Sequence, residues 1–323
     1  MKPVKKILAA LSLAFLSTAV LAQSPAANFP NKPMRIIVPL GPGGPTDLFA
    51  RMFAAHLEKK YRQPALVENK PGAGQLVGAN LVANADPDGY TLLAASSNLP
   101  SESLLTKDAP LDTAKDILPF GIIAGSGLFI GVHSSIPVKN MQEFVAWVKA
   151  NPGKLNQGTA SAPLVAIESL RDRLGLNWVN VNYKGGAAAM TALIAGEVQL
   201  YTPDVNQAVP PMKEGRVRIL AYSDQQRHSA LPEIPTIAES GIGAPDFVLQ
   251  VWLGMFAHPA VPNDIIAKLN ADVNEMSALP ESTARFTAMG WRAIPSTVTA
   301  IRRGTTLSNE QVAALLAKGV KLR

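Results

Sequence analysis

The chain has 323 residues, 30 Lys and Arg against 24 Asp and Glu, and no cysteine. Its formal charge of +6 falls to +3 if a leader carrying Lys2, Lys5 and Lys6 is removed, and no like-charge block or aromatic-interleaved basic stripe occurs, which argues against a nucleic-acid partner. Lack of cysteine excludes disulfides, thiolate nucleophiles and cysteine metal sites, and suits a bacterial periplasmic protein of two ordinary domains held by its cores.

The first 22 residues read as a signal peptide. Three lysines precede an apolar run over 7–21, and Val20-Leu21-Ala22 supplies the small residues for a cut before Gln23. A membrane anchor is the rival reading. The run is short of the roughly 20 residues a spanning helix needs, and it contains Ser12, Ser17 and Thr18.

From there, strand-length apolar runs alternate with helical patterns, the signature of α/β architecture with mainly parallel sheets. Residues 34–39 (MRIIVP) predict a buried strand, and a helix follows over 47–61 with Leu48, Met52 and Ala55 on one stripe. Strands are expected at 65–68 and 90–95, with a helix at 76–84 between them. The pattern restarts after about residue 121, with a strand at 128–133. Asn140, with Glu143 three residues on, predicts the N-cap of a helix ending near 151–153. Strands at 155–158, 178–182, 198–201, 217–222 and 249–256 are expected. Helices are expected at 163–174, 187–195, 263–277, 281–289 and 296–318. No short-period repeat or low-complexity linker interrupts them.

Three loops share one design, in which a strand ends, a Gly-rich turn follows and a helix begins. They are Gly41-Pro42-Gly43-Gly44-Pro45-Thr46-Asp47, Lys70-Pro71-Gly72-Ala73-Gly74-Gln75 and Tyr183-Lys184-Gly185-Gly186. Unpaired N–H groups at a helix start bind anions without a cationic side chain. The competing reading for each is a tight turn, with Asp47 merely capping. Sharper motifs fail. There is no P-loop or Gly-x-Ser-x-Gly elbow. Gly72-x-Gly74-x3-Gly78 leads to a strand ending Ala94-Ala95-Ser96, without the acid that binds a ribose. His56, His133, His228 and His258 lack metal-ligand spacing.

At these loops the chain resembles the receptors of tripartite tricarboxylate transporters, also called the Bug family. The likeness is carried by KPMRIIVPLGPGGPTDLFAR, VENKPGAGQLVGANLVANADPDGYTLL, VNYKGGAAAMTALIAGEV and LPEIPTIAESG, with the late Trp252–Ala257 run, and covers essentially the whole mature chain. It implies a class II periplasmic-binding-protein fold: a lobe of 28–121 plus 252–323, a second of 122–251, and two hinge crossings near 120–124 and 251–256. It further implies a monomeric, non-enzymatic receptor with no cofactor or metal. Such a receptor delivers a small organic acid to membrane permease subunits or reports it to a sensor protein. Ligand positions expected from the family pattern are Leu40, Gly43, Gly44, Pro45, Thr46 and Asp47 in the first lobe, with Ser97 and Asn98 where a Gly-Thr-His type sequence is usual. In the second lobe they are Thr159 and Ser161 in a shortened loop, Lys184, Gly185, and Asp204 after a Thr202-Pro203 that replaces the usual Phe-Asp. Leu164 stands at the usual His position. Two rivals remain at this level: a periplasmic hydrolase on the same scaffold, and a family member that has exchanged its solute for a protein partner.

Overall fold

The computed structural model describes residues 25–159, 164–183 and 185–320. The expected signal peptide, Ser161 and Lys184 lie outside them. Among the described residues, no helix is long and apolar enough to cross a membrane.

The run MRIIVP folds as β1 (Met34–Val38). Ile36, Ile37 and Val38 are fully buried, as a parallel strand covered on both faces requires. It pairs in parallel with β2 (Ala65–Asn69) and β3 (Thr91–Ser96). β4 (Leu118–Gly127), β10 (Gln250–Ala257) and the short β11 (Arg292–Ala293) complete a six-stranded sheet in the order β11-β4-β10-β3-β1-β2. Alternation along the strands sorts the helices to its two faces. Ile36, Val38 and Leu92 pack with Phe49 and Phe53 of α1 (Pro45–Tyr61), with Leu269 and Val273 of the helix Asn263–Ala278, and with Phe286 of the helix Pro280–Ala288. Ile37, Leu93 and Phe256 pack with Leu76 and Ala79 of α2 (Leu76–Ala83).

The second sheet contains β5 (Phe129–His133), β6 (Asn156–Thr159), β7 (Val179–Asn182), β8 (Leu200–Tyr201) and β9 (Val217–Tyr222), in the order β7-β6-β8-β5-β9. A single turn, α3 (Glu102–Leu105), precedes it in the chain. Leu128, Ile130 and Val132 face α4 (Met141–Ala150) and α5 (Leu164–Leu174). Phe129 and Tyr201 face α6 (Gly186–Ala195) and α7 (Val205–Lys213). The predicted cap forms: Asn140 Oδ1 accepts the Glu143 N–H at 2.8 Å. The helices Asn263–Ala278, Pro280–Ala288 and Val298–Ala317 are α8, α9 and α10. α10 spans both bodies. Ile301 belongs to its buried face near the first sheet, and Val312 and Leu315 enter the core beneath the second.

Residues 120–124 and 251–256, where hinge passages were expected, are paired with each other inside the first sheet, Leu253 opposite Ala124 and Met255 opposite Gly121. Their glycines make room for neighbours: a β-carbon on Gly121 would lie 2.9 Å from Val273 Cγ2, and one on Gly254 2.6 Å from Gly121 O. The chain passes between sheets at Leu128 and Leu249, and fully buried Ser223 ties both passages. Its Oγ accepts the Leu128 N–H (2.8 Å) and donates to the Leu249 carbonyl (2.6 Å). Its own N–H and C=O bond Leu128 O and Leu249 N–H.

Candidate functional site

In the first sheet the order β2-β1-β3 puts a topological switch beside β1. In the second, β7-β6-β8 repeats it beside β6. Ligands of open α/β sheets sit beyond the carboxyl ends of strands at such switches. Both sets of carboxyl ends abut the inter-sheet passages. Ser96, ending β3, lies opposite Leu253, and the Ser97 N–H donates to Trp252 O at 2.8 Å. Tyr201, ending β8, lies opposite Gly131, and Pro203 O accepts the Phe129 N–H at 2.9 Å. Two sets of strand-to-helix loops therefore converge on one gap.

The turn after β1 is organised by Asp47. Its carboxylate is only 3% exposed. It accepts the Gly43 N–H (3.0 Å), two Arg51 N–H groups (3.0 Å each) and Asn69 Nδ2 (3.0 Å), while the same Asn69 nitrogen reaches Leu40 O at 3.1 Å. Burial pushes this carboxyl upward, but the Arg51, Gly43 and Asn69 hydrogen bonds outweigh it and hold the group below its ordinary range. Its charge is spent inside the turn and neutralised by Arg51. What Asp47 leaves uncommitted is its main-chain N–H. With Pro45 lacking a donor and Gly43 committed, the amides at the helix start with no acceptor among the described residues are those of Gly44, Thr46 and Asp47. Gly43 needs φ +85°. Gly44 sits at φ −77°, ψ 168°, and a β-carbon on either would meet nothing within 4 Å. The glycines of the turn border open space rather than packed side chains. Leu40 is exposed at its edge.

The second loop is wound left-handed throughout, with φ of 143°, 44°, 61° and 81° at Gly72, Ala73, Gly74 and Gln75. Gly78 has a packing reason, since a β-carbon there would lie 2.8 Å from Pro39 Cβ. Backbone geometry thus accounts for a spacing that resembles a dinucleotide fingerprint. The buried Gln75 side chain donates to Ser96 Oγ (2.8 Å) and accepts the Ser96 N–H (3.2 Å). Ser96 Oγ in turn donates to Asn98 Oδ1 (2.6 Å), which leaves the Asn98 NH2 as the group to present. Ser97 Oγ accepts the Trp252 N–H at 3.4 Å and keeps its own proton to donate.

Residues 49–296 match the tripartite tricarboxylate transporter family receptor profile. The chain belongs to that family. A UPF0065 protein of Bordetella pertussis is 34% identical over 286 residues, spanning 87% of this chain and 86% of the relative. Among solved structures, MatC from Rhodopseudomonas palustris with bound malate superposes with a TM-score of 0.68 at 27% identity, covering 89% of this chain and 100% of that one. An R. palustris protein with adipate gives 0.69 at 26%, covering 88% and 97%. These are two-lobed periplasmic receptors, not enzymes, and the hydrolase alternative finds no support among them.

In this tricarboxylate-type receptor the second sheet commits its side chains differently. Thr159 is buried, and its hydroxyl donates to Asn182 Oδ1 across the strand pair, in the register that sets Thr159 opposite Asn182. Gly185 is extended and caps α6, and its carbonyl accepts the Ala189 N–H at 3.2 Å. A side chain on Gly186 would collide with Tyr201 Oη and Gln207 Nε2, both 2.8 Å from its β-carbon. Burial, with Asp204 nearby, pushes the Tyr201 phenol up to about 12, so it stays a neutral donor. Asp204 caps α7 by accepting the Gln207 N–H at 2.9 Å. Sequence reasoning gave no role to the side chains of Arg51 and Asn69, which fix the Gly43 turn through Asp47, or of Gln75 and Ser96, which fix Asn98. Asp47 and Arg51 at helical i,i+4 spacing, and Asn69 closing a strand before a glycine loop, were the available signals.

Proposed function

We propose that this receptor captures a small carboxylate-bearing solute between its two sheets. It then hands the solute to the permease subunits of a tripartite transporter, or reports it to a sensor. The supporting observation is the α1 start: the Thr46 and Asp47 amides have no acceptor, beside an open glycine turn and the Ser97 and Asn98 donors. A helix N-terminus supplies about half a positive charge, enough to favour an acid group without a formal cation. In this reading Leu40, Gly43 and Pro45 shape the turn and Gly44, Thr46 and Asp47 donate. Thr159, Ser161, Lys184, Gly185 and Asp204 bound the solute from the other side. The expected lobe bounds at 121/122 and 251/252 move to the sheet passages: residues 28–127 and 250–297 carry the first sheet and 129–248 the second, and closure bends the chain about Leu128 and Leu249. The receptor acts as a periplasmic monomer after cleavage following Ala22. Malate in MatC and adipate in the second R. palustris protein favour acids of this size.

The test is thermal unfolding of the mature protein across a panel of mono- and dicarboxylic acids, amino acids, aromatic acids and matched neutral amides. A true ligand at about 100 times its Kd adds about 2.7 kcal/mol, a shift of several degrees. A panel in which amides stabilise as well as acids, or nothing stabilises, defeats the proposal.

A further inference from the structure

Away from the gap, α1 packs along α8. Three potential ligand groups meet there: His56 from α1, and Asp272 and Glu275, spaced for one face of α8. Their ligating atoms all lie within 4.8 Å of one another. The His56 side chain is 9% exposed, and its Nε2 has no hydrogen-bond partner among the described residues although it points toward Glu275 Oε1 at 3.9 Å. An imidazole nitrogen buried in that way costs free energy that a partner would recover. A cation already sits between the two carboxylates. The Lys60 ammonium lies 2.8 Å from Asp272 Oδ1 and also bonds Glu275, while Tyr61 Oη holds Asp272 through both oxygens at 2.9 and 2.8 Å. That ammonium does not use the His56 lone pair, and its side chain is 34% exposed, free to swing outward.

We propose that His56, Asp272 and Glu275 bind a divalent transition-metal ion in place of the Lys60 ammonium, at a site separate from the solute gap. One imidazole and two carboxylates suit Zn2+, Co2+ or Ni2+. Bonds of about 2.1 Å would draw the three ligand atoms to roughly 3–3.5 Å apart, a modest contraction reached by rotamer adjustment. The metal would staple α1 to α8 and stiffen the helix whose other end carries the anion-ready turn.

Calorimetric titration of the mature protein with Zn2+ tests this, with Co2+ absorbance as a second readout and reversal by EDTA. One equivalent should bind. His56→Ala should weaken binding at least about 100-fold, and Lys60→Met should strengthen it about tenfold because the competing ammonium is gone. Both variants are checked by circular dichroism, and Gly44→Asp should leave the metal stoichiometry unchanged. Failure of Lys60→Met to bind Zn2+, or binding that His56→Ala leaves intact, overturns the site.

Discussion

Gly44→Asp separates binding from folding. At φ −77°, ψ 168° the backbone suits any L-residue, and a β-carbon meets nothing within 4 Å, so the substitution should change stability by less than about 0.5 kcal/mol. The new carboxylate enters the position proposed for the solute's acid group. Two unit charges about 4 Å apart at an effective dielectric near 20 repel by about 4 kcal/mol. At about 1.4 kcal/mol per tenfold, affinity should fall roughly 1,000-fold. Gly44→Ala, adding only a methyl group in open space, should cost far less. The neighbouring Gly43→Ala should behave in the opposite sense: φ +85° forces a β-carbon into the left-handed region at about 1–2 kcal/mol, and a loss of stability should appear in urea unfolding. Calorimetry with a solute found in the thermal panel reads the binding side. If Gly44→Asp binds within threefold of the parent protein while its melting temperature is unchanged, the anion is not held at this turn.

Asp47→Asn should lower stability by about 2–3 kcal/mol, because an amide cannot satisfy both Arg51 N–H groups and the Gly43 and Asn69 donors together. Because the Asp47 carboxyl is held below its ordinary value, its contribution is complete above the unfolded pKa of about 3.9 and is lost as pH falls through the lower folded one. The variant should therefore flatten the acid limb of the urea-midpoint profile, and an unchanged limb would contradict this. His228 packs on Phe129 and Tyr222 at 5.7 and 5.3 Å, and burial holds its imidazole below the ordinary value. The unfolded chain takes up that proton first, so stability should decline as pH drops below about 6.5, and His228→Gln should reduce the decline measured by thermal melts. Ser223→Ala strips a partner from the Leu128 N–H and another from the Leu249 carbonyl, and should cost about 2–4 kcal/mol in urea unfolding.

Strongly patterned elements were legible in the sequence. The MRIIVP run, the 47–61 helix and the Asn140 cap appear within a residue or two of expectation, because buried strands and capped helices advertise themselves locally, but the helix buries Phe49, Phe53 and Leu57 and leaves the Leu48, Met52 and Ala55 stripe on its outer side. β4 was not anticipated: Gly121, Gly125 and Gly127 weaken its strand pattern, and they accommodate Val273, Ile294 and Tyr222 across the packing. α7 was not anticipated, and it holds two residues, Pro210 and Pro211, that ordinarily disfavour a helix interior; Asp204 caps its start and Ala208 and Pro211 lie on its buried side. The glycine loops were visible as anion-ready turns, but which amides remain uncommitted was not. That depends on Asp47 turning inward to Gly43 and Asn69, a contact made only when β2 lies beside β1.

The repeated strand order carries a further consequence. Both sheets bring three parallel carboxyl ends to the same gap, yet they equip them unequally. The first sheet spends a buried carboxylate, an arginine and an asparagine on fixing one turn, so its donors are set before any solute arrives, and such preorganisation lowers the cost of binding. The described polar groups of the second are committed to one another, Thr159 to Asn182 and Asp204 to Gln207. The departures from the family pattern beyond Ser97 and Asn98 also fall there, at Leu164 and Thr202-Pro203. Under the proposed mechanism, the first lobe holds the acid group that solutes of the class share, and the second reads the remainder as the lobes close. Exchanging second-lobe residues should therefore change which acid binds, whereas altering the Gly44 turn should weaken all of them alike.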